Sequence, residues 1–166
     1  TAKPLIIVGN HHERGTDAEQ EAQLRAVAEP YGWPVIGLCA TIEAEVATLD
    51  SEEDKREFLA SYGGGEPVRA RLLRTLYDYL NAITFFTVGP DEVRGWSISR
   101  GTNARSAAGE IHSDLERGFI RAEVAAYDAV IEQKCFETCQ NLKKSRTEPA
   151  GYIMQDGDVV EIKFNV

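Results

Sequence analysis

The chain has 166 residues, 43% of them hydrophobic and 27% charged, and a formal net charge of −9. That length suits one or two domains able to bury roughly 70% of their unfolded surface, and the acidic balance excludes a general polyanion binder, DNA included. No apolar run nears the roughly 20 residues of a membrane span and no secretory signal is present; a cytoplasmic protein with no membrane partner is expected, with Cys39, Cys135 and Cys139 as reduced thiols.

Taken in order, Pro4 to Gly9 (PLIIVG) reads as a strand buried on both faces of a parallel sheet. Asn10 to Gly15 form a polar loop. A helix follows from Asp17, with Leu24, Val27, Ala28 and Tyr31 at helical spacing, closed by Pro30 and Gly32. Trp33 to Cys39 (WPVIGLC) is a second buried strand. Strand, helix and strand make a crossover unit, so the two strands are expected parallel with their carboxyl ends on one edge. Ligands bind at such an edge, where Asn10 to Glu13 and Ala40 to Glu43 lie.

A helix from Thr41 presents Ile42, Val46 and Leu49. Asp50 with Glu53 resembles a capping box for the next, which presents Phe58 and Leu59 and is broken by Gly63, Gly64 and Gly65. Residues 67–81 give a last helix with Leu72, Leu73, Leu76, Tyr77 and Leu80 inward. Two strands fall short of the five or so of a typical doubly wound sheet, so this half is expected to be incomplete.

In the second half, Ile83 to Val88 and Val93 to Ser99 flank the turn Gly89-Pro90-Asp91-Glu92 and make a hairpin. Arg94, Trp96, Ile98 and Arg100 share one face of its second strand. Thr102 or Asn103 caps a helix with Ala104, Ala108, Ile111 and Leu115 inward, which Gly118 ends in a left-handed conformation. The period then switches to two, with Ile120, Ala122 and Val124 on one side and Arg121 and Glu123 on the other. Residues 128–148 read as helix and loop. Gly151 to Met154, the turn Gln155 to Asp158, and Val159 to Phe164 read as a closing hairpin, one face buried and one wet. A mixed sheet around one helix is a β-grasp arrangement.

The chemistry-bearing residues are sparse. Cys135 and Cys139 have no second pair of cysteines or histidines at zinc spacing. His11 and His12 are adjacent, so their side chains diverge, and His112 borders an apolar stripe; a histidine-based catalytic centre is not expected. Cys39 has no partner histidine at readable proximity, and Trp96 reads as hairpin packing or as a surface that stacks on a base. Residues 1–81 carry 8 Lys and Arg against 14 Asp and Glu, a balance of −6; residues 82–166 carry 10 against 13, or −3. The second half groups Arg94, Arg100 and Arg105, then Lys143, Lys144 and Arg146, which read either as a solvated mixed face or as a local RNA or phosphate contact.

The run FFTVGPDEVRGWSISRGTNARSAAGEIHSDLERGFIRAEV (85–124), with QDGDVVEIKFNV (155–166), resembles the C-terminal TGS domain of the Obg-like ATPase (YchF) family. KPLIIVGNHHERG resembles the base-recognition strand and loop of the same family's P-loop domain, and CATIEAEVATLD its final nucleotide-side loop. The sequence departs from the family at CFETCQNLKKSRTEP, where an alanine- and glycine-rich helix belongs. The resemblance implies α/β followed by α+β: an incomplete doubly wound P-loop-type sheet in residues 1–81 and a β-grasp, ubiquitin-like TGS domain in residues 82–166. It implies nucleotide-binding residues Asn10, His11, Glu13, Cys39 and Ala40, with Asn10-His11-His12-Glu13 standing where GTPases of this class carry Asn-Lys-x-Asp. Family members with Asn-x-x-Glu prefer ATP, with GTP weaker and Mg as cofactor in the full-length protein.

No Gly-x-x-x-x-Gly-Lys-Ser/Thr occurs in these residues and no aspartate for magnesium is identifiable, so no catalytic and no metal-binding residue is assigned. The chain is expected neither to bind nucleotide tightly nor to hydrolyse ATP by itself. With Met154 as its only methionine and an opening at Thr1 directly into a strand, it reads as the C-terminal part of a longer hydrolase. Partners implied are nucleotide and, through the TGS domain, the ribosome or RNA. The alternative is a non-enzymatic TGS-type module for RNA, ribosome or protein docking.

Overall fold

The computed structural model describes residues 3–13, 18–62, 66–89 and 92–165. The chain divides into two compact units, Thr1–Leu80 and Asn81–Val166.

In the first unit, β1 (Ile7–Asn10) and β2 (Val35–Leu38) form a parallel two-stranded sheet that pairs Ile7 with Val35 and Asn10 with Leu38. The crossover between them is α1 (Ala18–Ala28), continued by a single 3-10 turn, Glu29–Tyr31. Gly32 ends it at φ 64, a left-handed conformation open to glycine at no steric cost, and donates its N–H to the Glu29 carbonyl. The expected start at Asp17 lies outside the described residues, as does the break at Gly63 to Gly65. The apolar stripe of α1 is not buried as expected: Ala28 is, but Val27 is 63% and Tyr31 64% exposed. Tyr31 instead stacks on Trp33 with ring centroids 4.4 Å apart.

Next come α2 (Ala40–Val46), α3 (Glu52–Ser61) and α4 (Val68–Tyr79). Cys39, Ile42, Val46 and Leu59 form the buried core between α2 and α3, with Phe58 packed on it. The cap of α3 is Ser51, whose Oγ accepts from the Asp54 N–H at 3.0 Å; Asp50 lies one residue too early to do this. The inward face expected of α4 is also corrected. The helix has no buried residue, and Leu72, Leu73 and Leu80 are exposed. Two short strands about 5 Å apart offer too narrow a sheet to cover the apolar faces of both α1 and α4.

The second unit is a five-stranded mixed sheet of order β4-β3-β7-β5-β6. Its strands are β3 (Ala82–Val88), β4 (Val93–Ser99), β5 (Phe119–Ala126), β6 (Arg146–Glu148) and β7 (Asp158–Phe164). The β3–β4 hairpin is as expected; Pro90 and Asp91 of its turn lie outside the described residues, and Gly89 N–H bonds to Glu92 O. Asn103 caps α5 (Ala104–Ile111), its Oδ1 accepting from the Ser106 N–H at 2.9 Å. Ala104, Ala107 and Ala108 are buried, and Ala104 and Ala107 pack on the sheet face of Ile83, Phe85, Ile98, Ala122, Val124 and Val160.

Four expectations fail here. The helix does not run on to Gly118: it breaks at His112, and α6 (Ser113–Arg117) follows, capped by the His112 ring, whose Nδ1 accepts from the Asp114 N–H at 3.2 Å. Gly118 has φ −92 and is no left-handed cap; a Cβ there would lie 2.2 Å from the Asn165 carbonyl oxygen, so close backbone approach demands the glycine. A bulge between Phe119 and Arg121 turns Ile120 outward, 55% exposed, and Phe119 packs on the core in its place. The closing hairpin does not form. Residues 150–154 run along the start of α5, where Ala150 and Tyr152 carbonyls accept from the Arg105 and Ala104 N–H groups, while β7 pairs parallel with β3 and antiparallel with β5.

Residues 128–148 contribute α7 (Tyr127–Gln133), α8 (Phe136–Asn141) and the edge strand β6. Phe136 and Cys139 of α8 cover Ala125 and Val159 on the second sheet face, so the β7 face expected to be wet is buried at Val159.

Candidate functional site

The parallel register sets Asn10 beside Leu38 at the carboxyl end of the first unit's sheet, and the His11 N–H continues the ladder to Leu38 O at 2.8 Å. The chain then opens into two loops. Asn10 joins them, its Oδ1 accepting from the Ala40 N–H at 3.0 Å. Ala40 is the first residue of α2, whose cap position, Cys39, makes no side-chain cap bond, so Asn10 reaches across 30 residues to satisfy an orphan amide. Beyond Asn10 the turn is held locally: His11 Nδ1 lies 3.2 Å from His12 O, and the Glu13 N–H donates to His12 Nδ1 at 3.1 Å. His11 is half-buried and Glu13 exposed.

Of the five candidates, the structure brings Asn10 and Ala40 into contact and sets His11 next to them. Cys39 turns its side chain into the core, 6% exposed, and can offer a ligand only backbone. His112 belongs to the other unit and is engaged in capping α6. Among the described residues no three His, Cys, Asp or Glu side chains group to hold a metal ion.

Sequence reasoning missed two features beside this edge. Gly9 and Gly37 are register partners, and their lack of side chains leaves a cleft of about 50 Å³ that Glu21 and Leu24 of α1 also line. Glu43, at the end of the second loop's motif, accepts from the Val68 N–H at 3.0 Å and caps α4, whose own cap position is Pro67. No local pattern signals either, because both are long-range.

In the second unit Trp96 is packing. Its Nε1 donates to Thr87 Oγ1 at 2.9 Å, its ring lies on the core, and the Arg94 guanidinium sits 4.3 Å from the ring centroid. Part of the second basic group is already committed. Lys144 pairs with Glu132, and Arg146 bonds Glu148, Tyr152 and Asp158. Asp158, 3% exposed, accepts from the Tyr152 hydroxyl at 2.9 Å and the Gln155 N–H at 2.9 Å as well. Burial, followed by the bond to Asp158, pushes the Tyr152 hydroxyl above the usual tyrosine value. Cys135 is exposed at the start of α8, where the amides of Thr138 and Glu137 hold its thiol below the usual cysteine value.

The family model YchF-GTPase_C, described as a protein of unknown function (DUF933), matches residues 82–165. The chain is 44% identical over 167 residues to the ribosome-binding ATPase YchF of Pasteurella multocida and 43% to that of Haemophilus influenzae, covering all of this chain and 46% of each relative. It therefore spans about half the length of these relatives. The solved YchF GTPase of Schizosaccharomyces pombe superposes with a TM-score of 0.79 at 30% identity, over 98% of this chain and 44% of that one. On this evidence the chain belongs to the YchF-GTPase_C family.

Proposed function

We propose that this chain works as part of a longer, cytoplasmic, ribosome-binding ATPase of the YchF type. Residues 1–81 supply the base-side loops of its P-loop nucleotide domain, and residues 82–166 are a β-grasp TGS domain that docks on the ribosome or RNA. The observation that carries the nucleotide half is the bond from Asn10 to Ala40, which ties together the two loops at the carboxyl edge of a parallel sheet. The β-grasp reading rests on the strand order, in which the unit's first and last strands lie side by side and parallel at the sheet's centre.

After accepting from Ala40, Asn10 Oδ1 keeps one lone pair and Nδ2 keeps its donors, so the amide offers one acceptor and one donor to N6 and N7 of adenine. The His11 backbone lies beside it. Glu13 has no donor, and its carboxylate works mainly against guanine-favouring geometry. Nothing in these residues cradles phosphates or magnesium, so that part of the chemistry belongs to a P-loop outside them, and this chain alone does not turn over ATP.

The test is calorimetry of the longer protein with a non-hydrolysable ATP analogue. Asn10→Ala removes a bidentate contact worth about 1 to 3 kcal/mol and should weaken binding by about 5-fold to 150-fold. Glu13→Ala should cost less. Equal losses, or a parent that prefers GTP, would overturn the assignment. The missing phosphate loop favours one other reading, a non-enzymatic docking module; a P-loop in the same polypeptide decides against it.

A further inference from the structure

The loop that Asn10 reaches is held a second time, by α4. Pro34 and Leu38 carbonyls accept from the Ile7 and His11 N–H groups, so the alternate residues Val35 and Gly37 turn their backbone groups away from β1. Arg71 of α4 takes the later of these two carbonyls, its guanidinium donating to Gly37 O at 3.0 Å. Val68, one turn earlier on α4, donates its N–H to Glu43 Oε1 at 3.0 Å. Gly37 lies three residues before Ala40 and Glu43 three residues after it. One turn of α4 therefore grips both flanks of the segment that presents the Ala40 N–H to Asn10.

Apolar packing alone does not set this grip, because α4 has no buried residue. The gripping turn is braced by a bidentate pair, in which Arg74 donates to both Glu66 oxygens at 2.8 and 3.1 Å and ties the approach to α4 onto the helix. Pro67, at the cap position, makes no side-chain cap bond, so the orphan Val68 N–H is satisfied by Glu43.

From this geometry we infer that Arg71 and Glu43 are positioning residues for base recognition: together they fix the loop whose Ala40 N–H holds Asn10 Oδ1, and with it the orientation of the Asn10 amide. The inference rests on the nucleotide reading above. With Oδ1 held, the amide presents Nδ2 as a donor to N7 of adenine and its remaining Oδ1 lone pair to the N6 amino group. Guanine offers acceptors at both N7 and O6, and an amide released from Ala40 can turn its donors toward them. Loosening the loop therefore lowers discrimination between the bases more than it lowers affinity.

The test is calorimetry of the longer protein with non-hydrolysable ATP and GTP analogues. Arg71→Met keeps the stem and removes the donor, and Glu43→Met removes the acceptor. Each should lower the ratio of ATP to GTP affinity about fivefold. The double variant should fall short of the product of the two, since both losses free the same loop. Glu43→Gln, which keeps Oε1 as an acceptor, should hold the ratio within about twofold of the parent. If Glu43→Met fails to fold, Arg71→Met, at an exposed position, carries the test. A parent-like ratio in both methionine variants, beside a lowered one in Asn10→Ala, would overturn the inference and leave the nucleotide reading standing. Equal losses for ATP and GTP would overturn it as well, because the two bonds would then serve only stability. A parent-like ratio in Asn10→Ala would remove the nucleotide reading, and this inference with it.

Discussion

Replacing Gly118 with alanine isolates a single steric contact. The residue has φ −92, which any amino acid can adopt, so the backbone conformation contributes no cost. The added Cβ would lie 2.2 Å from the oxygen, 2.8 Å from the carbon and 3.2 Å from the nitrogen of Asn165, all backbone atoms. Rotamer change cannot relieve the overlap, because the Asn165 N–H bonds to the Gly118 carbonyl at 2.9 Å and the adjoining pair of Phe119 with Phe164 anchors β7 to β5. Overpacking of this kind costs about 1 to 3 kcal/mol, and the immovable neighbour puts Gly118→Ala near 3. For a unit of this size that is a fall of about 12 to 24 °C in Tm. The assay is thermal unfolding followed by Trp96 fluorescence in a Trp33→Phe background, so that the signal reports on the second unit alone. Gly151→Ala is the control: nothing lies within 4 Å of its added methyl, and the change should stay within about 0.5 kcal/mol. A Gly118→Ala midpoint within about 2 °C of the parent would refute the steric argument.

Two further outcomes concern titrating groups. Tyr152→Phe leaves the buried Asp158 with one donor fewer and should cost about 1 to 2 kcal/mol at pH 7 by urea titration. Because the folded-state tyrosine value is raised, the parent keeps this protonation-linked stability below about pH 10 and loses it as pH climbs through the raised value, a decline the phenylalanine variant should lack. Cys135, with its thiol lowered by the α8 amides and open to solvent, should be alkylated by iodoacetamide well before buried Cys139, with a half-maximal rate at a lower pH in the folded protein than in urea. Equal rates for the two thiols would contradict the placement.

What could be read from the sequence follows the range of the interaction. The crossover β1-α1-β2, the β3–β4 hairpin and the Asn103 cap rest on contacts within a few residues or on clean periodicity, and they stand as expected. The break at His112 defeats a periodicity reading because Leu115 keeps the helical spacing across it. The apolar pattern of α4 was legible, but whether the face is covered depends on residues far from it, and here Leu72 and Leu73 stay exposed. The pairing of β7 was misread for a related reason. Residues 151–154 look like its local partner, yet the Tyr152 carbonyl accepts from the Ala104 N–H at the start of α5, and the true partners of β7 are β3 and β5. At the candidate site, the Asn-x-x-Glu motif marked the loop, but nothing local announced that Asn10 caps a helix 30 residues later or that Cys39 turns away.

The central position of β7 has a kinetic consequence. This strand alone connects the β4–β3 hairpin to the β5–β6 pair, and it follows both in the chain. During synthesis the unit must therefore wait as two half-sheets, each with an uncovered apolar face, until Asp158–Phe164 has emerged. Closure then requires contacts between residues more than 70 positions apart, such as Phe86 with Val159, which makes for slow folding and a prolonged interval open to aggregation.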